Sequence, residues 1–148
     1  MKELDTILLA EDNPQDVELT LEALKEYNLV NRVVVVHDGV EVMEYLNYEG
    51  RFKDREKGNP VVLLLDIKMP RMSGIEVLEA IRSNPSYKLL PIVMLTSSRQ
   101  EPDLQKCYAL GVNAYVVKPV NFKDFLEAVK YIGVFWAILN ELPSMDTI

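Results

Sequence analysis

Five polar side chains stand directly after short apolar segments of the chain, and together their types could carry out phosphate chemistry. In chain order they are Glu11, Asp12, Asp66, Thr96 and Lys118. If the apolar segments are parallel strands, their carboxyl ends meet at one edge of the sheet, where open parallel sheets bind ligands. We therefore expect three carboxylates, one hydroxyl and one ammonium group to converge at a single rim.

The three carboxylates imply a bound cation. In a poorly solvated cleft, the side chains of Glu11, Asp12 and Asp66 would repel one another. A hard divalent cation relieves that repulsion, and Mg²⁺ takes a few protein oxygen ligands while it keeps positions for water or a phosphate oxygen. The sequence therefore predicts a magnesium site at this rim.

The same residues could accept a phosphoryl group. An Asp carboxylate such as Asp66 can act as a nucleophile and form an aspartyl phosphate, and a metal ion neutralises charge on the phosphoryl oxygens. Lys118 would pair with that carboxylate before transfer and with the phosphoryl group afterwards. Thr96 would donate a charge-assisted hydrogen bond to a phosphoryl oxygen. Because phosphoryl transfer depends mainly on positioning and electrostatics, these groups are sufficient.

Each of these residues alone also has an ordinary structural interpretation. An acidic pair such as Glu11-Asp12 is common in turns and helix caps, and Asp66 could simply begin the Pro-containing turn that follows it. Thr96 could be a strand end, and Lys118 a surface lysine. The functional interpretation rests on the coincidence of all five residues at strand ends.

The elements that must position these residues alternate along the chain. Five segments are too short for helices and apolar on both faces, as in buried parallel strands: Ile7–Ala10, Val33–Val36, Val61–Leu65, Ile92–Leu95 and Tyr115–Val117. Predicted helices separate them: Pro14–Tyr27, 38–48, a third after a Ser73 capping box, a fourth from Glu101 to Gly111, and a last one at about 121–142. The charged stretch Gly50–Asn59 is predicted to be a long, solvated loop. We predict an α/β fold, a doubly wound, open parallel five-stranded sheet with helices on both faces.

Composition and charge limit the possible function classes. The 148 residues fit one domain, spanning 1–148, and 49% of them are hydrophobic. A net charge of -7 argues against a nucleic-acid-binding face. No apolar run approaches the roughly 20 residues that span a bilayer, and the single Cys107 excludes an internal disulfide. We expect a cytoplasmic protein that binds neither nucleic acid nor membrane.

Five short motifs resemble the receiver domain of two-component response regulators. They are Leu9-Ala10-Glu11-Asp12, Leu65-Asp66-Ile67-Lys68-Met69-Pro70, Ser73-Gly74, Leu95-Thr96-Ser97 and Val117-Lys118-Pro119. The likeness runs from about Thr6 to Leu139, nearly the whole chain. It implies a flavodoxin-like strand order 2-1-3-4-5 and phosphorylation of Asp66 by a sensor histidine kinase. It also implies that the protein catalyses only its own phosphorylation and dephosphorylation.

The resemblance implies further roles. The backbone carbonyl of Lys68 would be an additional magnesium ligand, and the Lys118-Pro119 peptide bond would be cis. Thr96 and Tyr115 would form a switch pair that controls partner binding at the surface of the fourth helix, fifth strand and fifth helix. A narrower likeness, to the short regulators that partner phytochrome-type histidine kinases, is carried by the loop 49–60, by Asn121-Phe122 and by the tail 135–143. Those regulators lack a DNA-binding output domain, and we expect none here.

Three other functions fit parts of this pattern. A flavodoxin needs hydroxyls and backbone donors after its first strand, where Glu11 and Asp12 would repel a phosphate. A phosphatase of the haloacid dehalogenase type needs a second acid two residues after its nucleophile, where this chain has Lys68. A phosphorylation-independent docking module with the receiver fold stays open, although the complete set of site residues argues against it.

The last predicted helix carries more apolar surface than one domain needs. Phe125, Leu126, Val129, Ile132 and Trp136 share one face that suffices to cover the sheet. A second stripe, with the spacing of a helix–helix seam, is formed by Tyr131, Phe135, Ile138 and Leu142. It could pack on this chain's own fourth helix or terminal segment. We expect instead a symmetric homodimer joined through the fifth helices.

Overall fold

Strands and helices alternate in the computed structural model, which describes residues 6–26, 29, 32–112 and 114–132. The strands are β1 (Ile7–Ala10), β2 (Val33–Val36), β3 (Val62–Asp66), β4 (Ile92–Thr96) and β5 (Ala114–Val117). The helices are α1 (Pro14–Lys25), α2 (Gly39–Asn47), α3 (Gly74–Arg82), α4 (Leu104–Ala109) and α5 (Phe122–Ile132), and a 3₁₀ turn spans Gly50–Phe52. Within this described part of the chain, no helix has both the length and the apolar character needed to cross a membrane.

The five strands form one parallel sheet in the order β2-β1-β3-β4-β5. The predicted fold class and strand order are therefore confirmed. In this register Ala10 pairs with Leu65, Asp66 pairs with Leu95 and Thr96 pairs with Val117. The ends of β1, β3, β4 and β5 thus lie side by side at one edge, and the residues that follow them share one rim.

Both faces of the sheet are covered, because successive side chains along a strand point to opposite sides. On one face, Leu8 belongs to a buried cluster that includes Leu78 of α3 and residues of α2 and α4. On the other face, Leu9 is buried with Leu24 of α1 and Phe125 of α5. Burial on two sides explains why the strands are almost uniformly apolar.

Local capping fixes the helices that start at the functional rim. Asn13 caps α1, since its side chain accepts hydrogen bonds from the backbone N–H groups of Gln15 and Asp16. Ser73 and Glu76 form the predicted capping box at the start of α3. Both caps lie a few residues after a strand end, so the loops that carry the site are short and closely anchored.

The fourth helix is shorter than the sequence predicts. It begins at Leu104 instead of Glu101. The backbone N–H of Glu101 donates to the Ser98 carbonyl in a separate turn, and the Asp103 side chain makes no capping hydrogen bond. Glu101 therefore belongs to the loop between β4 and α4, which borders the rim.

The stretch Gly50–Asn59 is not the simple solvated loop that its charge predicts. Phe52 is buried. The Arg55 guanidinium lies 3.9 Å from the ring centroid of Tyr45 and 4.1 Å from that of Tyr48. An apolar anchor and a cation–π contact therefore hold this charged segment against α2.

The predicted extension of the last helix lies mostly outside the described residues. Within α5, Phe125 and Val129 are fully buried, as predicted for the face that covers the sheet. Tyr131, the first residue of the second apolar stripe, is 77% exposed. The other stripe residues Phe135, Ile138 and Leu142, together with Trp136, lie outside the described part of the chain.

Candidate functional site

The predicted site residues converge on one cleft of about 240 Å³ at the carboxyl edge of the sheet. Its lining includes the predicted Glu11, Asp12, Asp66, Lys68, Thr96 and Lys118. It also includes Asp16 and Glu101, which the sequence did not single out. Tyr115 is not part of this lining, and it borders a neighbouring pocket between β5 and α5 instead.

Three carboxylates are grouped in the cleft. Oxygen atoms of Glu11, Asp12 and Asp66 all lie within 4.8 Å of one another. Glu11 is fully buried and Asp66 is 5% exposed, whereas Asp12 faces the solvent. The backbone N–H of Asn13 donates to Glu11 Oε2 at 3.2 Å and orients that carboxylate. Two buried carboxylates and one exposed carboxylate form an oxygen-rich pocket that is open to water on one side.

The burial of Glu11 changes its acidity. Removal from water raises the pKa of Glu11 to about 7, and the hydrogen bond that it shares with Asp66 raises this pKa as well. Hydrogen bonds from Lys118 and from the Asn13 backbone lower the pKa of Glu11, but they do not cancel the increase. The Glu11 carboxyl therefore keeps its proton to a higher pH than an exposed glutamate does.

Lys118 supplies the positive charge of the cleft. Its Nζ donates to Glu11 Oε1 at 3.0 Å, to Asp16 Oδ2 at 3.0 Å and to Asp66 Oδ2 at 3.3 Å. Burial alone would lower the pKa of Lys118, but the bonds with Glu11 and Asp16 raise it above its usual value. The ammonium group therefore stays protonated while it contacts the candidate nucleophile.

The backbone around Lys118 aims its side chain into the cleft. The backbone N–H of Lys118 donates to the Thr96 carbonyl at 2.7 Å, which continues the pairing of β5 with β4. The Lys118-Pro119 peptide bond is cis, as the resemblance implied. The chain then turns sharply toward α5, whose first turn is capped by the Asn121 side chain through a 2.8 Å bond from the Asp124 N–H.

Asp66 is the last residue of β3, and the turn after it packs tightly. The backbone N–H of Lys68 faces Asp66 Oδ1 at 3.4 Å, and that of Gly74 donates to the Ile67 carbonyl at 2.8 Å. A Cβ atom at Gly74 would lie only 2.2 Å from the Asp66 carbonyl oxygen. Glycine is therefore required there, because any side chain would push α3 away from the nucleophile.

The loop between β3 and α3 is also held from the side of α2. Arg71, which has a positive φ of 63°, donates from Nε to Asp38 Oδ2 at 2.8 Å. Burial raises the pKa of Asp38, but bonds from Arg71 and from backbone N–H groups outweigh it and lower that pKa below the usual value. The backbone N–H of Gly39 donates to the Met72 carbonyl at 3.1 Å. These contacts fix the loop that contains Lys68.

The Thr96 hydroxyl faces the cleft from the end of β4. It donates to the Ser98 carbonyl at 2.8 Å and lies 3.3 Å from the Ser98 N–H, and the residue is 2% exposed. Tyr115 is half-buried on the adjacent β5, and its ring packs edge-on against Tyr108 with a centroid distance of 6.2 Å. In this state the two predicted switch residues have separate local partners.

Two acidic residues of the cleft are absent from the sequence-based prediction. Asp16 lies in the first turn of α1, five residues after Glu11, and α1 starts at the same sheet edge as the site. Its place in the first turn of the helix that follows β1 could have identified Asp16 from the sequence. Glu101 forms an ion pair with Lys68 across the cleft mouth, with a distance of 3.6 Å from Nζ to Oε2. No sequence signal marks Glu101, since the path of its loop depends on tertiary contacts.

This arrangement provides the groups that phosphoryl uptake requires. Asp66 is a buried carboxylate next to an ammonium group, and the acidic cluster beside it offers hard oxygen ligands of the kind that Mg²⁺ prefers. The Thr96 hydroxyl lies at the edge of the same cleft. Among the described residues, the cleft lining holds no histidine or cysteine, so the chemistry of this cleft rests on carboxylates, hydroxyls and ammonium groups.

Comparison with known proteins identifies related chains. A family model described as "Response regulator receiver domain" matches residues 7–130. The response regulator Rcp1 of Synechocystis sp. is 36% identical over 138 residues, which cover 93% of this chain and 92% of Rcp1. The Mn(2+)-bound form of Rcp1 has been solved, and it superposes with a TM-score of 0.72 over 95% of this chain and 99% of that one.

Two further solved structures are similar over nearly their full length. The bacteriophytochrome response regulator RtBRR is 54% identical with a TM-score of 0.84, covering 97% of this chain and 87% of RtBRR. The phosphorylated cyanobacterial phytochrome response regulator RcpA is 39% identical with a TM-score of 0.73, covering 94% of this chain and 98% of RcpA. The predicted likeness to short phytochrome-associated regulators is therefore confirmed.

Proposed function

This chain belongs to the response regulator receiver domain family, and from that membership we propose that it is a switch phosphorylated on Asp66 by a histidine kinase. The observation that carries the proposal is the position of Asp66. Its carboxylate is 5% exposed, lies within 4.8 Å of two further carboxylates, and accepts a hydrogen bond from Lys118 at 3.3 Å. In this reaction the acceptor of the phosphoryl group is the protein's own carboxylate.

The transfer step follows from these positions. A carboxylate oxygen of Asp66 attacks the phosphorus atom of the donor and forms a new O–P bond. The N–P bond of a phosphohistidine, or the O–P bond of a small acyl phosphate, breaks as the leaving group takes the bonding electrons. Lys118 shifts from the carboxylate to the phosphoryl oxygens and offsets their charge. The donor is held in line by the same cleft, which is how positioning contributes to phosphoryl transfer.

The acidic cluster fits a divalent cation, which we propose to be Mg²⁺. Glu11, Asp12 and Asp66 would hold it with their carboxylates, and the backbone carbonyl of Lys68 would be a further ligand. When bound, the cation neutralises negative charge on the phosphoryl oxygens. The support for this assignment is geometric, since carboxylate oxygens of the three residues lie within 4.8 Å of one another. The manganese-bound form of Rcp1, 36% identical, is a further support.

We propose that the phosphodonor is a phytochrome-type sensor histidine kinase. The support is the likeness to RtBRR and RcpA, whose names place them with a bacteriophytochrome and a cyanobacterial phytochrome. The likeness covers more than nine tenths of this chain in both comparisons. The loop 49–60, on which the sequence-based likeness to these regulators partly rests, is anchored by Phe52 and Arg55.

Phosphorylation would be read out through Thr96 and Tyr115. The Thr96 hydroxyl would exchange its bond to the Ser98 carbonyl, now 2.8 Å long, for a charge-assisted bond to a phosphoryl oxygen. The loop after β4 would move together with Thr96. Tyr115 would then leave Tyr108 and rotate into the space that Thr96 vacates. The switch thus acts on the surface formed by α4, β5 and α5.

The proposed coupling of phosphorylation to the Tyr115 ring, through Thr96, predicts a specific phenotype for Thr96→Ala. This variant should still be phosphorylated on Asp66, because the nucleophile and Lys118 are unchanged, but its binding to any phosphorylation-dependent partner should no longer respond. The ring signals of Tyr115 in an NMR spectrum, recorded before and after addition of a phosphodonor, measure the switch directly. Thr96→Ser, which retains the hydroxyl, is the matched control. A normal Tyr115 response in Thr96→Ala would contradict the coupling.

Incubation with acetyl phosphate and Mg²⁺, followed by intact-mass measurement, tests the proposed function. We expect the unmodified chain to gain one phosphoryl group that is lost on treatment with hydroxylamine, as an acyl phosphate must be. Asp66→Asn should abolish the gain, whereas Asp54→Asn, which changes an exposed residue of the distant loop, should not affect it. Uptake that survives Asp66→Asn, or a hydroxylamine-stable adduct, would overturn the proposal.

A further inference from the structure

The Lys118 ammonium group has a carboxylate partner outside the acidic cluster. Its bond to Asp16 Oδ2 is 3.0 Å long, equal to the bond to Glu11 and shorter than the 3.3 Å bond to Asp66. The side chain of Lys118 is 15% exposed and that of Asp16 is 25% exposed. Water therefore competes weakly for either group, and the pair differs from an ordinary ion pair on the protein surface.

Both partners have a backbone fixed by local structure. The backbone N–H of Asp16 donates to the capping side chain of Asn13 at 3.1 Å, which sets the first turn of α1. The backbone N–H of Lys118 donates to the Thr96 carbonyl at 2.7 Å. The contact therefore joins two rigid positions that are 102 residues apart in the chain. The ammonium group and its counter-charge therefore come from two different parts of the cleft lining, the end of β5 and the start of α1.

The charges of the cleft explain why a separate partner is useful. The Lys118 ammonium contacts Glu11 and Asp66, and a divalent cation held by the cluster would share these two carboxylates with it. The two positive groups would then repel each other, and the cation would attract the shared carboxylates more strongly because of its higher charge. Asp16 does not belong to the group of carboxylates that meet within 4.8 Å. Its charge therefore remains available to Lys118 when the cluster is engaged.

We propose that Asp16 is a positioning residue that holds the Lys118 ammonium beside Asp66 while the cluster binds its cation and the phosphodonor enters. This inference rests on the proposed phosphoryl transfer. Asp16 acts through Lys118 and does not itself contact the phosphoryl group. Without Asp16, the repulsion from the cation would push the ammonium toward solvent, and the transition state would lose part of its charge compensation.

A purely structural role is the competing explanation. Asp16 is an acidic residue in the first turn of α1, where a negative charge stabilises a helix through its macrodipole. In that case its removal would lower the thermal stability of the protein but would leave Lys118 in place. Glu18 is the control for the loss of one negative charge from α1, since it lies on the same helix, beyond the first turn, with an exposed side chain.

The first measurement is the rate of phosphorylation by acetyl phosphate at saturating Mg²⁺. We expect Asp16→Asn to lower the maximal rate constant about tenfold, the loss of a charge-assisted bond that Glu11 and Asp66 replace only in part. Asp16→Glu, which restores the charge, should recover most of the rate, and Glu18→Gln should match the unmodified protein. An Asp16→Asn rate within twofold of the unmodified protein, about the scatter of such assays, would overturn the inference.

The second measurement observes the ammonium group directly, with Mg²⁺ and without phosphodonor. In ¹⁵N-lysine-labelled protein, the Lys118 NH₃⁺ signal, assigned by its loss in Lys118→Arg, should be sharp in the unmodified protein and in Glu18→Gln. It should shift or broaden in Asp16→Asn. A slow Asp16→Asn variant with an unchanged Lys118 signal would show a helix effect and overturn the inference. If the unmodified protein takes up no phosphoryl group, the proposed function fails, whereas the NMR signal still decides whether Asp16 holds Lys118.

Discussion

At the scale of single residues, Glu11 is a titratable side chain that is removed from water. It is fully buried, and burial together with its hydrogen bond to Asp66 raises its pKa from 4.5 to about 7. Between these two values the folded protein retains a proton that the unfolded chain has released. The stability of the cation-free protein therefore falls as the pH rises through this window. A cation bound at Glu11 would offset that loss of stability, because it would favour the ionised carboxylate.

Glu11 thus predicts a pH dependence of cation binding. Below pH 7 the cation must displace a proton from Glu11, so Mg²⁺ affinity should be about tenfold weaker at pH 6 than at pH 8, as expected for one group with a pKa near 7. Calorimetric titration at the two pH values measures this. In Glu11→Gln the affinity should be lower and nearly independent of pH. A constant affinity of the unmodified protein between pH 6 and pH 8 would contradict the prediction.

The site residues that lie at the ends of strands could be predicted from the sequence. The parallel register brings five residues at the ends of apolar strands to one cleft, as predicted: Glu11, Asp12, Asp66, Thr96 and Lys118. Asp16 was missed because it lies in the first turn of α1 and not at a strand end. Its contact with Lys118 bridges the first helix and the last strand, and a pairing so distant in sequence depends on the fold itself.

At the scale of elements, the segment 50–59 is a charged loop that side-chain contacts hold against the protein. Arg55 donates from Nε to the Tyr45 carbonyl at 2.7 Å and from Nη1 to the carbonyls of Glu56 and Gly58 at 2.7 and 2.9 Å. The Gly58 N–H in turn donates to the Tyr48 hydroxyl at 2.9 Å. A single guanidinium therefore organises a loop that its sequence predicts to be solvated. The strands and most helix starts were predictable, because periodicity and capping are local signals.

This network makes Arg55 a testable determinant of stability. Arg55→Ala removes three hydrogen bonds and two cation–π contacts, so we expect it to lower the free energy of unfolding by about 2–4 kcal/mol. Arg55→Lys should recover less than half of that loss, since an ammonium lacks the planar fork of donors. Urea denaturation measures both values. Lys53→Ala, at an exposed position on the same loop, is the control, and an equal loss in Lys53→Ala would contradict this role for Arg55.

At the scale of the whole molecule, the surface formed by α4, β5 and α5 carries exposed aromatic side chains. Tyr131 is 77% exposed and Tyr108 is 45% exposed, and both border a pocket of about 330 Å³ that Tyr115 also lines. Exposed apolar groups in one patch are typical of an interaction site. The predicted homodimer through the fifth helices would use this surface and would place the dimer contact next to Tyr115, the proposed switch residue.

The dimer is tested by Tyr131→Asp. We expect the unmodified protein to sediment as a dimer at tens of micromolar, about the range in which a modest interface becomes populated. Tyr131→Asp should sediment as a folded monomer that still accepts a phosphoryl group on Asp66, because Tyr131 lies outside the cleft. Lys123→Asp is the control, at an exposed position of the same helix. A monomeric unmodified protein, both with and without phosphodonor, would contradict the dimer.

The most direct test of the central claim is to locate the phosphoryl group chemically. Borohydride reduces an acyl phosphate to an alcohol and would convert a phosphorylated Asp66 to homoserine, which peptide mass mapping identifies. After incubation with acetyl phosphate and Mg²⁺, we expect homoserine at position 66 alone, and none when the cation is chelated. Reduction at another carboxylate of the cleft, such as Asp12, or an unreduced Asp66 in fully phosphorylated protein, would contradict the account.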